Sequence, residues 1–231
     1  MRMTESRSLP VVMCTWRRPE YFRRTLRSLE AQEGVTVALH VWNNNPDITE
    51  ELERAAADST VPVTFRHSAT NVGGFGRFYL ARELAGEHPY VVFIDDDQLF
   101  GATTMATLLS EARPRSASGW WAYRFIAPPH YWLRLPVRKG RRAHYLGTCG
   151  MIVDASIFAD ERVFECPDRF WFVEDVWLSY VAGHLRRWTL RRSRATFLFI
   201  PDTKNQFTGL IREKYEFMRY LTSRGWLTRP S

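Results

Sequence analysis

The first hundred residues alternate between short apolar runs and longer segments with one apolar face. Four of these runs predict strands, and they span residues 9–14, 37–42, 61–66 and 90–94. The first and the last of them predict buried strands. Between the runs, apolar residues recur at helical spacing, as Phe22, Leu26 and Leu29 do. Strands that alternate with helices predict an α/β fold with a mostly parallel central sheet flanked by helices.

The fourth run stops at three adjacent acids, Asp95, Asp96 and Asp97. Adjacent carboxylates at the end of a buried strand repel one another and resist desolvation unless a cation shares the site. Asp95 and Asp97 are two positions apart on an extended backbone, so both can face one ligand. Ligation by oxygen alone favours Mn²⁺ or Mg²⁺ over zinc. The alternative is a solvated loop that caps a helix beginning near Ala102.

Polar and small residues also follow the other predicted strands, at the edge where parallel sheets bind their ligands. An arginine suits a phosphate, asparagine amides suit a base or a ribose, and glycines allow close backbone approach. Ordinary turns and a solvated arginine would explain the same residues one by one. Together they predict a cradle for a nucleotide diphosphate, formed by Thr15, Arg17, Asn43, Asn44, Asn71, Gly73 and Gly74.

The second half of the chain is rich in aromatic residues. Between residues 116 and 142 they are interleaved with basic residues, and they either stack on sugars or bases or pack in the core. Residues 146–153 predict a glycine-flanked strand that passes close to the site. The basic tract at residues 184–194 lacks a nucleic-acid-binding pattern, so no nucleic acid is expected as a partner.

An acidic pair, Glu174 and Asp175, follows an apolar and aromatic run and begins a predicted helix. The pair either caps that helix and answers its dipole or takes part in chemistry. A carboxylate against Trp171 and Phe172 would be partly desolvated, which raises its pKa toward useful base strength.

Composition indicates a folded chain with anionic partners. At 231 residues and 45% hydrophobic residues, it is long enough for one large domain. The net charge of +7 predicts phosphates, a nucleotide or an acidic membrane surface as partners. Three cysteines without CxxC spacing indicate neither a zinc site nor a disulfide framework. No signal peptide or membrane span is evident, which predicts a cytoplasmic protein, with peripheral contact to the inner membrane face as an option.

The order and spacing of five elements resemble those of the family 2 glycosyltransferases, inverting enzymes of the GT-A fold. The resemblance covers roughly residues 9 to 200. Three features look most like the galactofuranosyl- and rhamnosyltransferase branches, namely Asn71-Val72-Gly73-Gly74, Gly119-Trp120-Trp121 and the triple aspartate. The five elements are Thr15-Trp16-Arg17-Arg18, Asn43-Asn44, Asn71-Val72-Gly73-Gly74, Asp95-Asp96-Asp97 and Glu174-Asp175.

The resemblance implies a nucleotide-diphosphate sugar donor and a divalent metal. Asp97, with Asp95, would bind Mn²⁺ or Mg²⁺, which bridges the diphosphate, and Asp175 would be the general base beside Glu174. The nucleotide-sugar would contact Thr15, Arg17, Asn43, Asn44, Asn71, Gly73, Gly74, Asp95 and Asp96. The acceptor side is expected at Trp120, Trp121, Gly150 and Trp171.

Two departures from the family pattern concern the base and the metal. Asn43 stands where the family usually has an aspartate that reads the base, so a preference for uridine does not follow. The family often supplies a histidine as a third metal ligand after a late strand. Here residues 195–200 are followed by Pro201 and Asp202, so Asp202 is the available substitute.

The predicted layout is a single GT-A-like domain over residues 1–231. Residues 9–100 form its nucleotide-sugar half and residues 101–206 its acceptor and catalytic half. Residues 207–231 form a C-terminal amphipathic helix, which either packs on the domain or lies on an anionic membrane. Its predicted apolar side consists of Leu210, Ile211, Tyr215, Met218 and Leu221.

The predicted function is transfer of a sugar, with inversion, from a nucleotide-diphosphate donor to an acceptor hydroxyl. One rival is a metal-dependent sugar nucleotidyltransferase, which would also use Asp95 and Asp97. Against it, this sequence has no glycine-rich basic loop after the first strand to bind a triphosphate. The other rival is a basic binding protein without activity. The sequence leaves open the sugar, the acceptor, whether saccharide, lipid-linked saccharide or small molecule, and the oligomeric state.

Overall fold

The computed structural model describes residues 8–201 and 209–228. Asp202 lies outside these ranges, as do the first two and the last three residues of the predicted C-terminal segment. Within them no helix is both long and apolar enough to cross a membrane.

Twelve strands and six α-helices are present in the described ranges. The strands are β1 (Leu9–Thr15), β2 (Val37–Asn43), β3 (Val63–His67), β4 (Tyr90–Asp95), β5 (Gln98–Phe100), β6 (Ser116–Gly119), β7 (Ala122–Phe125), β8 (Arg134–Pro136), β9 (Tyr145–Leu146), β10 (Met151–Asp154), β11 (Thr189–Arg192) and β12 (Phe197–Phe199). The helices are α1 (Pro19–Glu30), α2 (Thr49–Ala56), α3 (Gly76–Leu84), α4 (Thr104–Glu111), α5 (Glu174–Ser179) and α6 (Ile211–Ser223).

Seven of the strands form the central sheet, in the order β11-β6-β10-β4-β1-β2-β3. Strands β1 to β4 are parallel, and so is the pair of β11 and β6. Strand β10 alone runs antiparallel to both its neighbours, β4 and β6. The predicted α/β fold with a mostly parallel sheet is therefore confirmed, and strands from both halves of the chain share this one sheet.

The sheet is covered on both faces, which is why its central strands are apolar without alternation. Val12 of β1 packs into one core with α3 and α5, whereas Val11 and Met13 pack into the other core with α1, α2 and α4. Phe93 and Ile94 of β4 divide between the two cores in the same way. The buried middle of the sheet places the ends of β1 and β4 at a fixed position under the site.

The prediction of one strand over residues 146–153 is wrong. Two short strands, β9 and β10, are separated here by residues 147–150, because the backbone turns at Gly150 with φ of +69°. A Cβ atom at Gly150 would stand 2.3 Å from Cε1 of Phe197, so only glycine fits this turn. Strand β5, which pairs with β12, was not predicted because it has only three residues.

Helix α6 packs on the domain, but its predicted apolar side is only partly right. Met218 and Leu221 are buried, whereas Ile211 and Tyr215 are exposed at 46% and 37%. The buried side is centred on Phe217, whose ring stacks on Phe170 with centroids 4.1 Å apart. The buried side of α6 is therefore centred on Phe217 instead of on the predicted residues. The reason is that the Phe217 ring fills the space between α6 and the residues before α5.

We predict that Phe217→Ala lowers the free energy of unfolding by about 3–5 kcal/mol, because it leaves a cavity in a packed core. Tyr215→Ala is the matched control on the same helix, and its effect should stay below about 1 kcal/mol because Tyr215 is partly exposed. Urea denaturation followed by circular dichroism measures both. Equal losses for the two variants would contradict this packing of α6.

Candidate active site

A cleft of about 540 Å³ lies at the carboxyl ends of β1 and β4. It brings together two acidic groups that are about 80 residues apart in the sequence, the aspartates after β4 and the acidic pair that begins α5. The predicted site residues that line it are Thr15, Arg17, Asn44, Asn71, Gly73, Gly74, Asp95, Asp96, Asp97, Glu174 and Asp175. Those that do not line it are Asn43, Trp120, Trp121, Gly150 and Trp171.

The aspartate triplet has one buried and two partly exposed members. Strand β4 ends at Asp95, and Asp96 and Asp97 form a turn into β5. Asp96 is buried. It accepts a 2.9 Å hydrogen bond from the Thr15 hydroxyl and forms an ion pair with Arg18. All three aspartates line the cleft. Because Asp96 and Asp97 lie in a turn, the alternation expected of an extended backbone does not explain this arrangement.

Arg18 was not predicted as a site residue, yet it is the cation that neutralises the triplet at this end. Its guanidinium also donates to Oδ2 of Asp97 at 3.0 Å. Burial still raises the pKa of Asp96 to about 6. Burial and the charge of Asp95 raise the pKa of Asp97 to about 7. The acids therefore remain short of positive charge even with Arg18 in place.

Oδ1 of Asp97 is buried without a hydrogen-bond partner. An unpaired carboxylate oxygen beside the partly exposed Asp95 is a donor pair that suits a hard divalent cation. No group of three His, Cys, Asp or Glu side chains suited to a metal occurs within residues 8–201 and 209–228. The described residues thus fit a cation that takes its other ligands from a bound phosphate or from water, and Asp202 lies outside them.

A second unpredicted arginine, Arg77 of α3, lies beneath the middle of the cleft with only 4% of its surface exposed. It donates to Oδ1 of Asp95 at 2.9 Å and pairs with Oε1 of Glu174 at 3.4 Å. Its Nε also donates to the carbonyl of Gly74 at 3.1 Å. Its burial would lower its pKa, but the two carboxylates raise it above the ordinary value. Arg77 therefore joins the two acidic groups as a permanent cation.

The glycines of the Asn71–Gly74 stretch were expected to let the backbone approach a ligand. In the structure they let it approach side chains of the protein itself. A Cβ atom at Gly74 would stand 2.1 Å from Oε1 of Glu174, and one at Gly73 would stand 2.9 Å from the Phe172 ring. Asn44 fixes this stretch, because its amide accepts from the N–H of Val72 at 3.0 Å and donates to the Gly73 carbonyl at 2.9 Å. The stretch forms a wall of the cleft that is held against the start of α5.

Asn43 is fully buried and its amide bonds within the protein. Its Nδ2 lies 3.3 Å from the Thr49 hydroxyl and 3.1 Å from Nδ1 of His67, and its Oδ1 accepts from the N–H of Asn45. These contacts shape the turn after β2. The neighbouring side chain, Asn44, is the one that reaches the cleft.

The acidic pair of α5 presents two carboxylates in different environments. Glu174 is buried, where it accepts from the Thr148 hydroxyl at 3.1 Å, and burial raises its pKa to about 7 against the lowering effect of Arg77. Asp175 is partly exposed, and its Oδ2 accepts a hydrogen bond from the hydroxyl of Tyr145. Tyr131 in turn donates to Tyr145 at 3.2 Å. Asp175 is thus held by a buried tyrosine pair and faces the cleft.

Lys214 of α6 closes the cleft beside the acidic pair. Only 5% of its surface is exposed, and burial lowers its pKa although Asp175 opposes that change. Its Nζ lies 5.4 Å from the centre of the Tyr131 ring. The sequence offers no signal for it, because a lysine among the charges of an amphipathic helix usually faces solvent.

The tryptophans predicted for the acceptor side pack on other aromatic rings. Trp120 lies 4.9 Å from Phe197 between ring centres, and Trp121 lies 5.8 Å from Tyr123. Trp171 stacks on Phe75 at 5.2 Å. The aromatic residues that do line the cleft are Trp16 and Phe172.

The family model described as "Glycosyl transferase family 2" matches residues 11–160, which hold the aspartate triplet and its surroundings. The chain belongs to this family. None of the curated proteins matches the sequence significantly.

Solved glycosyltransferases share the fold of this family 2 chain at low sequence identity. A mannosyltransferase of Pyrobaculum calidifontis, solved with GDP-Man and Mn²⁺, has a TM-score of 0.70 and 14% identity, over 98% of this chain and 67% of that one. TarS of S. aureus, residues 1–349 with UDP-GlcNAc, has a TM-score of 0.61 and 15% identity, over 94% of this chain and 66% of that one. Another TarS structure has a TM-score of 0.61 and 14% identity over 90% of this chain, which spans only 39% of that one.

We predict that Glu174 makes stability fall as pH rises. Its pKa changes from 4.5 in the unfolded chain to about 7 in the fold, so between these values the folded protein holds a proton that the unfolded chain releases. The free energy of unfolding should therefore decrease relative to that of Glu174→Gln as the pH rises from about 4.5 to about 7. Urea denaturation of both proteins across this range measures the difference. Parallel curves would contradict the buried, proton-binding state of Glu174.

Proposed function

We propose that this family 2 glycosyltransferase transfers a sugar from a nucleotide-diphosphate donor to an acceptor hydroxyl in one displacement, with inversion. The observation that carries the proposal is the cleft itself, which holds a metal-type carboxylate pair at the end of β4 and a separate carboxylate at the start of α5. The first group suits a departing diphosphate and the second suits an incoming hydroxyl.

The donor is assigned to the side of the cleft formed by the ends of β1 and β4. Arg17 is exposed there, with its guanidinium 3.7 Å from the centre of the Trp16 ring, and it is assigned to the donor's phosphates. Asn44 and Asn71 also line the cleft, where their side-chain oxygens accept from the N–H groups of Val72 and Gly73 and so shape the wall beside the donor. The solved relatives with GDP-Man, UDP-GlcNAc and UDP support a donor of this chemical class.

Asp97 and Asp95 are assigned as the ligands of a Mn²⁺ or Mg²⁺ ion. The unpaired Oδ1 of Asp97 supports this assignment, and the mannosyltransferase solved with Mn²⁺ agrees with it. When bound, such a cation would offset the negative charge that grows on the departing diphosphate. Arg18, which also lines the cleft, pairs with Asp96 and with one oxygen of Asp97 and so keeps both in place.

Asp175 is assigned as the general base that accepts the proton of the acceptor hydroxyl. It is partly exposed in the cleft, whereas Glu174 is buried and paired with Arg77. The Tyr145 hydroxyl donates to Oδ2 of Asp175 and the N–H of Val176 donates to Oδ1 at 2.8 Å, so the carboxylate is held in one orientation while it stays partly exposed in the cleft. Glu174 is assigned a positioning role, since it contacts Thr148, Gly74 and Arg77 around the base.

Membership of the family supports glycosyl transfer over the two rival functions. A sugar nucleotidyltransferase would consume a nucleoside triphosphate and release pyrophosphate, whereas the proposed reaction releases a nucleoside diphosphate. A binding protein without activity would not need the paired carboxylates of α5. Assay of the released product separates these possibilities.

We predict that Asp175→Asn lowers the rate of transfer by about 10²–10⁴-fold, the usual contribution of a general base. Binding of the nucleotide-sugar should remain within about twofold of the wild-type affinity, because Asp175 acts on the acceptor rather than the donor. Single-turnover transfer and calorimetric donor binding measure the two effects separately.

The matched control is Asp47→Asn, which removes an exposed carboxylate in the turn after β2 and should change neither quantity. Loss of donor binding in Asp175→Asn would refute its assignment to the acceptor side. Retention of transfer by that variant would refute its role as the base.

A further inference from the structure

An exposed apolar surface lies away from the core on the hairpin of β7 and β8, residues 122–136, which we call the apolar hairpin. Four of its large apolar side chains are exposed: Ile126 at 58%, Trp132 at 45%, Leu133 at 47% and Leu135 at 57%. The N–H of Ile126 donates to the carbonyl of Leu133 at 2.9 Å, so these two residues lie side by side. A cluster of this kind on one hairpin marks an interaction surface rather than scattered exposure.

The exposed side chains cannot turn inward, because the inner side of the apolar hairpin is already filled. Phe125 and Tyr131 are buried and pack on Tyr145 with ring centres 5.9 Å from it in both cases. The guanidinium of Arg134 lies 3.8 Å from the centre of the Tyr131 ring. The outward position of the four apolar side chains is therefore part of the fold.

Helix α6 extends the same surface. The ring of His130 in the apolar hairpin lies 5.8 Å from that of Tyr215, between centres. Tyr215 and Ile211 are exposed at 37% and 46%, which explains why these apolar residues of α6 are not used in the core. The apolar area thus continues from the hairpin onto a neighbouring helix.

The charge of the hairpin segment itself is of one sign, whereas α6 beside it carries both signs, with Glu213 and Glu216 among its basic residues. Between Glu111 and Asp154 the sequence has eight arginine and lysine residues and no acidic residue. The exposed ones include Arg124 within the apolar hairpin, and Arg138, Lys139 and Arg141 in the loop that follows it. The formal charge of the whole chain is only +7, so this tract concentrates the positive charge beside the apolar residues.

We propose that the apolar hairpin docks the protein on an anionic lipid surface. Its apolar side chains would enter the boundary between headgroups and acyl chains, while the flanking arginines and lysine would remain at the phosphates. The exposed apolar side chains and the basic residues beside them together favour a lipid surface. A nucleic acid would match the positive charge but would leave the exposed aliphatic side chains unexplained. Tyr131 connects the apolar hairpin through Tyr145 to Asp175, so docking would bring the α5 end of the cleft near the lipid.

The test is sedimentation of the full chain with vesicles of phosphatidylcholine, with and without phosphatidylglycerol. We expect binding to the vesicles that contain phosphatidylglycerol, little binding to phosphatidylcholine alone, and weakening at high salt. Leu133→Gln with Leu135→Gln should lower the partition coefficient by about tenfold or more. Arg138→Glu with Arg141→Glu should do the same through charge.

The matched controls lie on helices that pack on the opposite face of the sheet. Leu109→Gln on α4 changes a comparably exposed leucine, and Arg23→Glu with Arg27→Glu on α1 makes the same change of charge. Both should keep wild-type vesicle binding. Equal loss in the control and hairpin variants, binding that the leucine substitutions leave unchanged, or no binding to either vesicle would overturn the proposal. None of these measurements requires glycosyl transfer, so vesicle binding can fail or succeed independently of the proposed function.

Discussion

The guanidinium of Arg77 lies between carboxylates from the two halves of the chain. Asp95 ends β4 and Glu174 begins α5, and Arg77 contacts both. Without this cation the two carboxylates would repel each other when both are ionised. Arginine suits the position because it stays charged when buried and donates in several directions, here also to the carbonyls of Gly74 and Thr148. Arg77 therefore links the two acidic groups of the cleft directly, together with the contacts of Glu174 to Thr148 and Gly74.

Much of the fold follows from the sequence because its strongest signals are long and buried. Strands β1 and β4 are apolar runs buried in the middle of the sheet, and α1 and α2 have one clear apolar side. The edge strand β3 is largely exposed, but its position between two helices still follows from the sequence. The segments that were mistaken are short or depend on distant contacts. Gly150 turns the backbone against the ring of Phe197, and α6 faces inward through Phe217, and in each case the partner is remote in the sequence.

The candidate site was predictable where its residues follow strands, and not where they support it from elsewhere. Eleven of the sixteen predicted positions line the cleft, since a parallel sheet gathers the ends of its strands. Arg77, Tyr145 and Lys214 were missed because each lies on a helix or short strand whose local pattern gives no sign of a site. Asn43 was placed correctly at the end of β2, but its amide is used by Thr49 and His67.

The central claim, a donor site that depends on a divalent metal, is tested most directly by thermal stability with nucleotides and nucleotide-sugars, in Mn²⁺ and then in EDTA. A ligand at about 100 times its Kd stabilises a fold by about 2.7 kcal/mol, which a melting curve resolves readily. We predict a rise in Tm with UDP, GDP or dTDP compounds in Mn²⁺, which is lost in EDTA and in Asp97→Ala. No rise with any of them, or the same rise in EDTA, would contradict the account.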